Sequence, residues 1–241
     1  MLHPVVPYVL AELHRESPDT FTFRLKPADG SEIPDYQPGQ FMQLLLTPSS
    51  DTKLMRSYSI SSSPTRRGHL DLTIKIQGSF PQHLKELKAG HVFGLKGPFG
   101  RFYFEPRIQP DIVLLGAGVG VTPLMGMLRY ALDLKLPNRI TLLDVNKTEE
   151  DTIFRAELQA LAAAAPPNFR IVRSYTRLAP EHPWKGERGR LDWDMLRRHV
   201  PEPLTKHYFL CGPDQMNRDV RALLLEKGVP KELVKLENMG I

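Results

Sequence analysis

Apolar and polar residues alternate with a period of two through much of the first hundred positions. Residues 8–13, 20–25, 40–46 and 70–76 read as strands, and several of them carry this pattern, which predicts one buried face. Turn residues separate them, as in Ala28-Asp29-Gly30 and Gln37-Pro38-Gly39. One helical stretch, Gln82 to Lys88, opens after Pro81 and stops at Gly90. This half reads as a closed antiparallel β-barrel. From Asp111 the rhythm changes to continuous apolar runs at 111–115, 140–144, 169–172 and 207–210. They alternate with amphipathic helical patterns near 123–134, 152–165, 192–199 and 215–227, which predicts a parallel sheet with helices on both faces. Pro106 and Pro110 bracket a short linker, so the expected division is a two-domain chain, 1–105 and 106–241. Four alanines, 162–165, end a helix before Pro166-Pro167.

At 241 residues the chain is long enough for two cores. With 41% apolar and 24% charged residues, it has no apolar run near the roughly 20 residues of a membrane span. The start, Met1-Leu2-His3-Pro4, lacks a basic segment followed by an apolar stretch, so a cytoplasmic protein is expected. The single cysteine excludes an intramolecular disulfide and also an iron-sulfur cluster held by the chain's own thiolates, which takes about four ligands. A net charge of +5 suits either steering of an acidic partner or a generally basic surface. No dense Lys/Arg run or zinc pattern points to nucleic acid. The eight histidines do not fall at ligand spacing, so no metal site is expected. Trp184 and Trp193 read as core or loop anchors.

Three short strings carry candidate chemistry. In Arg56-Ser57-Tyr58-Ser59, Arg56 and Tyr58 project from one side of a strand, where a cation and a flat aromatic suit a ligand with a phosphate and a ring. Gly118-Val119-Gly120-Val121-Thr122-Pro123 follows a buried strand and opens a helix, the context of a phosphate-binding turn. Cys211-Gly212-Pro213-Asp214-Gln215-Met216 follows the last apolar run. Singly, each has a plain structural reading: an edge strand, a tight turn, and a small buried residue at a strand end.

Their order resembles the ferredoxin-NADP reductase-like flavoprotein superfamily, from Pro38-Gly39-Gln40-Phe41 to Glu237. The resemblance implies an FAD-binding N-terminal β-barrel and an NAD(P)-binding C-terminal α/β domain, with FAD favoured over FMN. It implies that Arg56 meets the flavin pyrophosphate, Tyr58 stacks on the ring, and Ser57 and Ser59 line the same segment, with Ser59 near the reactive nitrogen. A second flavin segment comprises Ile74, Lys75, Gly78, Ser79 and Phe80, with backbone amides at a helix start for the pyrophosphate. Pro81 stands where relatives carry Ser or Thr and lacks both hydroxyl and amide hydrogen, so flavin is held loosely or Ser79 compensates.

Gly118, Val119, Gly120, Thr122 and Pro123 correspond to the nucleotide turn, Pro at position 123 being the superfamily's usual form. Gly97-Pro98-Phe99-Gly100 is a further family-like turn that either closes a strand or touches ligand. Thr176 and Arg177 fall where relatives using NADPH bind the 2'-phosphate, although some relatives with similar residues use NADH. Cys211, Gly212, Pro213 and Met216 correspond to the turn beside the nicotinamide. Ser59, Cys211 and Glu237 form the expected catalytic set, in which Ser59 and Cys211 position rather than react. Glu237-Asn238-Met239-Gly240 resembles the family's closing segment with Met in the aromatic place, which implies an exposed flavin edge. The implied activity passes hydride from NADPH or NADH to FAD and then single electrons to an acidic carrier such as ferredoxin or flavodoxin. The alternatives are a flavin or ferric reductase, or a reductase subunit docking on an oxygenase or hydrogenase.

Overall fold

The computed structural model describes residues 4–49, 52–77, 82–164 and 166–238. The chain divides into two compact units, one of Met1–Phe104 with Met125–Leu134, the other of Glu105–Leu124 with Lys135–Ile241.

The first unit is a six-stranded antiparallel sheet of β1 (Val6–Ser17), β2 (Thr20–Pro27), β3 (Phe41–Ser49), β4 (Thr52–Ser59), β5 (Leu70–Lys75) and β6 (Val92–Phe99). Its order is β4-β3-β6-β1-β2-β5. The strand pattern does what it predicts: Leu10, Phe23, Leu25, Leu44, Leu70 and Leu72 turn inward and are at most 1% exposed. The edge strands β4 and β5 come together at an Ile60–Leu72 bridge, next to which the Ser61 amide donates to the Asp71 carbonyl at 2.9 Å. Strand β6 escaped the sequence pattern because Gly94, Gly97 and Pro98 interrupt it, and its pairing with β3 slips between Phe41 and Gln43. The expected helix at 82–88 is a 3-10 turn, Gln82–Glu86.

A polar seam backs that bridge. Ser61, Ser62 and Ser63 are fully buried, and their hydrogen-bonding capacity is met from several elements. The Ser61 hydroxyl lies 3.1 Å from the Asp71 carbonyl and 2.9 Å from the Thr73 hydroxyl. Ser62 Oγ accepts the Asp71 amide at 3.0 Å, and its carbonyl accepts Tyr36 OH at 3.2 Å. Arg129 Nη1 donates to the Ser61 carbonyl at 2.7 Å. Gly126 is required there, since a Cβ would stand 2.8 Å from the Ile60 carbonyl oxygen. The Asp71 carboxylate takes two hydrogen bonds from Arg24, at 3.0 and 3.1 Å.

The second unit contains β7 (Asp111–Ala117), β8 (Arg139–Asn146), β9 (Phe169–Tyr175), β10 (Glu187–Arg188), β11 (His207–Gly212) and β12 (Val234–Asn238). The sheet is all parallel in the order β10-β9-β8-β7-β11-β12. Its helices are α1 (Val121–Asp133), α2 (Arg155–Ala164), α3 (Trp193–His199) and α4 (Asp214–Glu226); the residues of α1 from Met125 belong to the first unit. Strand β7 is central and buried on both sides, which is why residues 112–115 read as an unbroken apolar run. Helix α2 starts at Arg155, later than expected, because Phe154 holds a left-handed conformation at φ 57°. Helix α3 starts where Asp192 caps it, its carboxylate accepting the Met195 amide at 2.7 Å.

Candidate functional site

From β7 the chain winds one way through β8, β9 and β10 and the other way through β11 and β12. The order reverses between β7 and β11, and ligands of open parallel sheets bind outside the carboxyl ends of strands at such a point. Both the glycine turn and the Cys211-Gly212-Pro213 string sit there. Gly118–Gly120 forms a 3-10 turn leading into α1. The two glycines serve different needs. Gly118 has φ 52° and open space where a side chain would be, so it gives the turn its shape and leaves a face free. Gly120 is required by packing: a Cβ would stand 2.0 Å from the Cys211 carbonyl oxygen and 2.7 Å from Gly212 Cα. The turn is thus pressed, backbone to backbone, on the end of β11.

Thr122 is fully buried and its hydroxyl donates to the Val119 carbonyl at 2.9 Å. Its side chain therefore fastens the helix start and leaves ligand contact there to backbone amides. Val119 and Pro123 are also buried. Cys211 and Glu237 are register partners on β11 and β12. Burial, with a smaller contribution from Glu237, pushes the Cys211 thiol up, and burial raises the Glu237 carboxyl. Cys211 is thereby kept as a neutral thiol, a shape-defining group without nucleophilic character. Met216 covers Gly212, its methyl carbon 2.8 Å from where a Cβ would stand, while Pro213 is exposed. Asn217, which the sequence reading passed over, staples this corner. Its buried amide donates to the Gly212 carbonyl at 3.3 Å and the Glu237 carbonyl at 2.9 Å. The available signal was that Asn217 falls three and seven positions before Val220 and Leu224, on the apolar stripe of the helix.

At the carboxyl ends of β8 and β9, the Thr176 amide and hydroxyl donate to the Asn146 carbonyl at 3.0 and 3.3 Å, and the Arg177 amide donates to the Lys147 carbonyl at 2.9 Å. The Arg177 side chain is exposed. A cavity of about 230 Å³ lies at the opposite edge of this sheet, lined by Asp111, Arg139, Phe169 and Lys206 among others. Those are strand beginnings, and the motif residues stand at strand ends.

In the first unit, Arg56 and Tyr58 stand opposite Leu44 and Met42 on β3, on one side of the sheet, and Ser57 and Ser59 stand opposite Gln43 and Phe41 on the other. Arg56 is exposed, Tyr58 half-buried against the core and Ser59 8% exposed. Burial raises the Tyr58 phenol, and the Arg56 charge partly offsets this. The two residues therefore share a field. An aromatic and a cation thus stand side by side on β4, on the face that carries Met42 and Leu44, with Tyr58 packed on the core and Arg56 exposed. On β5, Ile74 is 1% exposed and pairs with Phe21 of β2, and the Lys75 ammonium pairs with Asp19 at 3.2 Å. Gly78, Ser79, Phe80 and Pro81 lie outside the described residues, as do Met239 and Gly240. Gly97 and Gly100 pack against Met42 and Phe41, at 2.8 and 3.0 Å from a would-be Cβ, which gives this turn a strand-closing role. Among the described residues no cluster of His, Cys, Asp and Glu could hold a metal ion, and no helix is long and apolar enough to cross a membrane.

These residues fit the groups that the motifs suggest: an aromatic and a cation side by side on β4 for a flavin, and a glycine turn at a switch point for a dinucleotide. Residues 7–104 match the model of the oxidoreductase FAD-binding domain and residues 114–222 that of the oxidoreductase NAD-binding domain. The chain is similar to NADH-cytochrome b5 reductase 2 of Saccharomyces cerevisiae, 31% identical over 96% of this chain and 78% of the relative. It is similar to the glycine betaine monooxygenase reductase subunit of Chromohalobacter salexigens, 32% identical over 92% of this chain and 60% of that protein. Among solved structures, the FAD/NAD-binding domain of a nitric oxide dioxygenase from Vibrio cholerae superposes with a TM-score of 0.85 at 26% identity, covering 96% of this chain and 97% of that one. With both of its units matched in order, the chain belongs to the ferredoxin-NADP reductase-like family of FAD- and NAD-binding flavoprotein oxidoreductases.

Proposed function

We propose that this chain takes hydride from NAD(P)H onto FAD and delivers single electrons to a separate acidic carrier such as ferredoxin, flavodoxin or a small cytochrome, in the cytoplasm. Residues 1–105 form the flavin-binding domain of this reading and 106–241 the nucleotide-binding domain. The observation that carries it is the presence in one chain of the Arg56/Tyr58 edge and of the glycine turn packed on Cys211 at the switch point.

FAD, when bound, supplies the change from two-electron to one-electron chemistry. Arg56 would neutralise its pyrophosphate, Tyr58 would hold its ring, and Ser59 would offer a hydroxyl near it. Gly118 lets the dinucleotide phosphates approach the amides at the start of α1. Cys211, held neutral, and Glu237 shape the nicotinamide end, with Asn217 fixing the carbonyls of both neighbouring strands. Hydride transfer needs aligned reactants and no strong acid or base, which suits a buried thiol that does not ionise.

The test is the visible spectrum of the purified chain with added FAD, before and after anaerobic NADPH. A flavin spectrum that bleaches is expected; no flavin uptake at micromolar FAD defeats the reading. Carrier reduction separates the acceptors. A rate that slows as salt rises to about 0.5 M supports a charged carrier steered to a basic surface, and a rate indifferent to salt supports a small acceptor such as free flavin. The reductase-subunit reading is favoured instead if the chain co-purifies with an oxygenase component, as the similarity to a monooxygenase reductase subunit allows.

A further inference from the structure

Three buried polar atoms of the second unit, Asp144 Oδ1, Asn146 Oδ1 and Arg173 Nη1, have no hydrogen-bond partner among the described residues, and they belong to one cluster. Asp144 and Arg173 are register partners on β8 and β9, and Asn146 Nδ2 donates to Asp144 Oδ2 at 2.8 Å. Asp144 is 1% exposed. Gly116 on β7 stands in register on its other side without a side chain, and Val121 and Leu124 of α1 pack there. Arg173 is the charged group that acts on the carboxyl. The Arg173 guanidinium lies 5.2 Å from the centre of the Trp184 ring, which meets Tyr175 edge-on at 4.8 Å.

A carboxyl and a guanidinium set side by side in an apolar sheet are poor stabilisers, because desolvation offsets their attraction and apolar side chains of similar volume do as well or better. This pair's connections run instead to the carboxyl ends of β8 and β9. Asn146, oriented through Asp144, accepts Thr176 at its carbonyl. Trp184, under Arg173, donates to the Glu187 carbonyl at 2.9 Å. Arg188 then ties that loop together, donating to the carbonyls of Ala179, His182 and Trp184 at 3.0, 2.6 and 3.4 Å. The loop after β9 is thus rooted in the sheet through Arg173 at one end and Asn146 at the other.

We propose that Asp144 and Arg173 are positioning residues for pyridine-nucleotide binding, holding the loop after β9 so that Thr176 and Arg177 face the adenosine end of the dinucleotide. This rests on the proposed function, in which those two residues read the ribose or its phosphate. Neither member of the pair touches the ligand.

The decisive variant of the full chain is the double replacement Asp144→Leu/Arg173→Leu, which removes both members of the pair together and leaves the Asn146 amide without its Asp144 acceptor. If the pair positions the loop, the variant folds cooperatively, losing no more stability than one unpaired buried amide costs, and takes up FAD as the wild type does. Its KM for NADPH and NADH rises about tenfold while kcat stays within about twofold, and the calorimetric dissociation constants of NADP+ and NAD+ rise with it. A stable double variant with wild-type KM and dissociation constants overturns the proposal and reduces the pair to packing. Should that variant not fold, Asp144→Asn keeps the shape: a raised KM at unchanged kcat supports the proposal and an unchanged KM overturns it. The calorimetric arm needs no flavin, so a wild-type chain that binds NADP+ but no FAD defeats the reductase reading while leaving this test intact. A wild-type chain that binds neither dinucleotide overturns the proposal itself.

Discussion

Asp71 in the first unit and Asp144 in the second are almost equally buried, at 2% and 1% exposure, yet their carboxyls behave in opposite ways. Burial alone would raise both. At Asp71 that effect is outweighed by His69 at 3.6 Å and by the two hydrogen bonds from Arg24, which hold the pKa at about 2. At Asp144 burial dominates, the Asn146 amide and the Arg173 charge only partly offset it, and the pKa rises to about 7. The difference lies in pairing geometry. A guanidinium that hydrogen-bonds both carboxylate oxygens compensates for desolvation, and one that acts on the carboxyl through its charge alone does not. The first unit uses polar burial to close a seam, with His69 Nε2 beside Asp71 as its one unmatched buried side-chain atom among the described residues, whereas the second carries several beneath the loops proposed to hold a ligand.

The largest test of this contrast is a pair of isosteric changes. Asp71→Asn removes the charge that Arg24 and His69 face and should lower stability by about 3 kcal/mol, while Asp144→Asn should be near neutral or stabilising. Both tryptophans, 184 and 193, lie in the second unit. Tryptophan fluorescence during urea unfolding therefore reports that unit, and far-ultraviolet circular dichroism reports both. Equal losses from the two variants would remove the contrast.

The contrast also assigns ligands to units. Arg177→Ala should cut NADPH efficiency by roughly ten- to a hundredfold, the value of a charge-assisted contact, and leave NADH efficiency and FAD affinity nearly unchanged. Steady-state kinetics with both nucleotides decides it; equal decline with both would make Arg177 a support of the fold.

In acid the two aspartates give slopes of opposite sign. The Asp71 pKa is depressed, so its stabilisation is complete above about pH 4 and is lost as pH falls towards 2, amounting to on the order of 2 kcal/mol. The Asp144 pKa is raised, so between about pH 4 and 7 the folded state holds a proton that the unfolded state has released, and stability declines as pH rises through that window. Denaturation midpoints measured from pH 3 to 8 in the wild type and in each Asn variant should show each slope vanish with its own aspartate.

The smallest effects concern the flavin edge. Arg56→Ala should weaken FAD binding by about tenfold through loss of a phosphate partner, and Tyr58→Phe by less than about threefold, since only a hydroxyl is removed. Flavin fluorescence titration measures both, and the reverse order would take the pyrophosphate away from Arg56.

The sequence by itself determined the two kinds of sheet, because strand alternation and unbroken apolar runs are local consequences of burial on one face or two. It also determined the order of the motifs, and with it the family. It missed β6, where Gly94, Gly97 and Pro98 hide the period, and β10 and β12, which are short or half-exposed and owe their conformation to the neighbours they pair with. Only the tertiary structure decided what each motif residue does. Gly120 is there for the Cys211 backbone, Thr122 for its own helix, and Lys75 for Asp19. The same holds for residues outside any motif. Asn217, Arg129 and the Asp144–Arg173 pair depend on partners 20 to 68 positions away, and chain-local pattern carries no information about which side chain a buried polar group will meet.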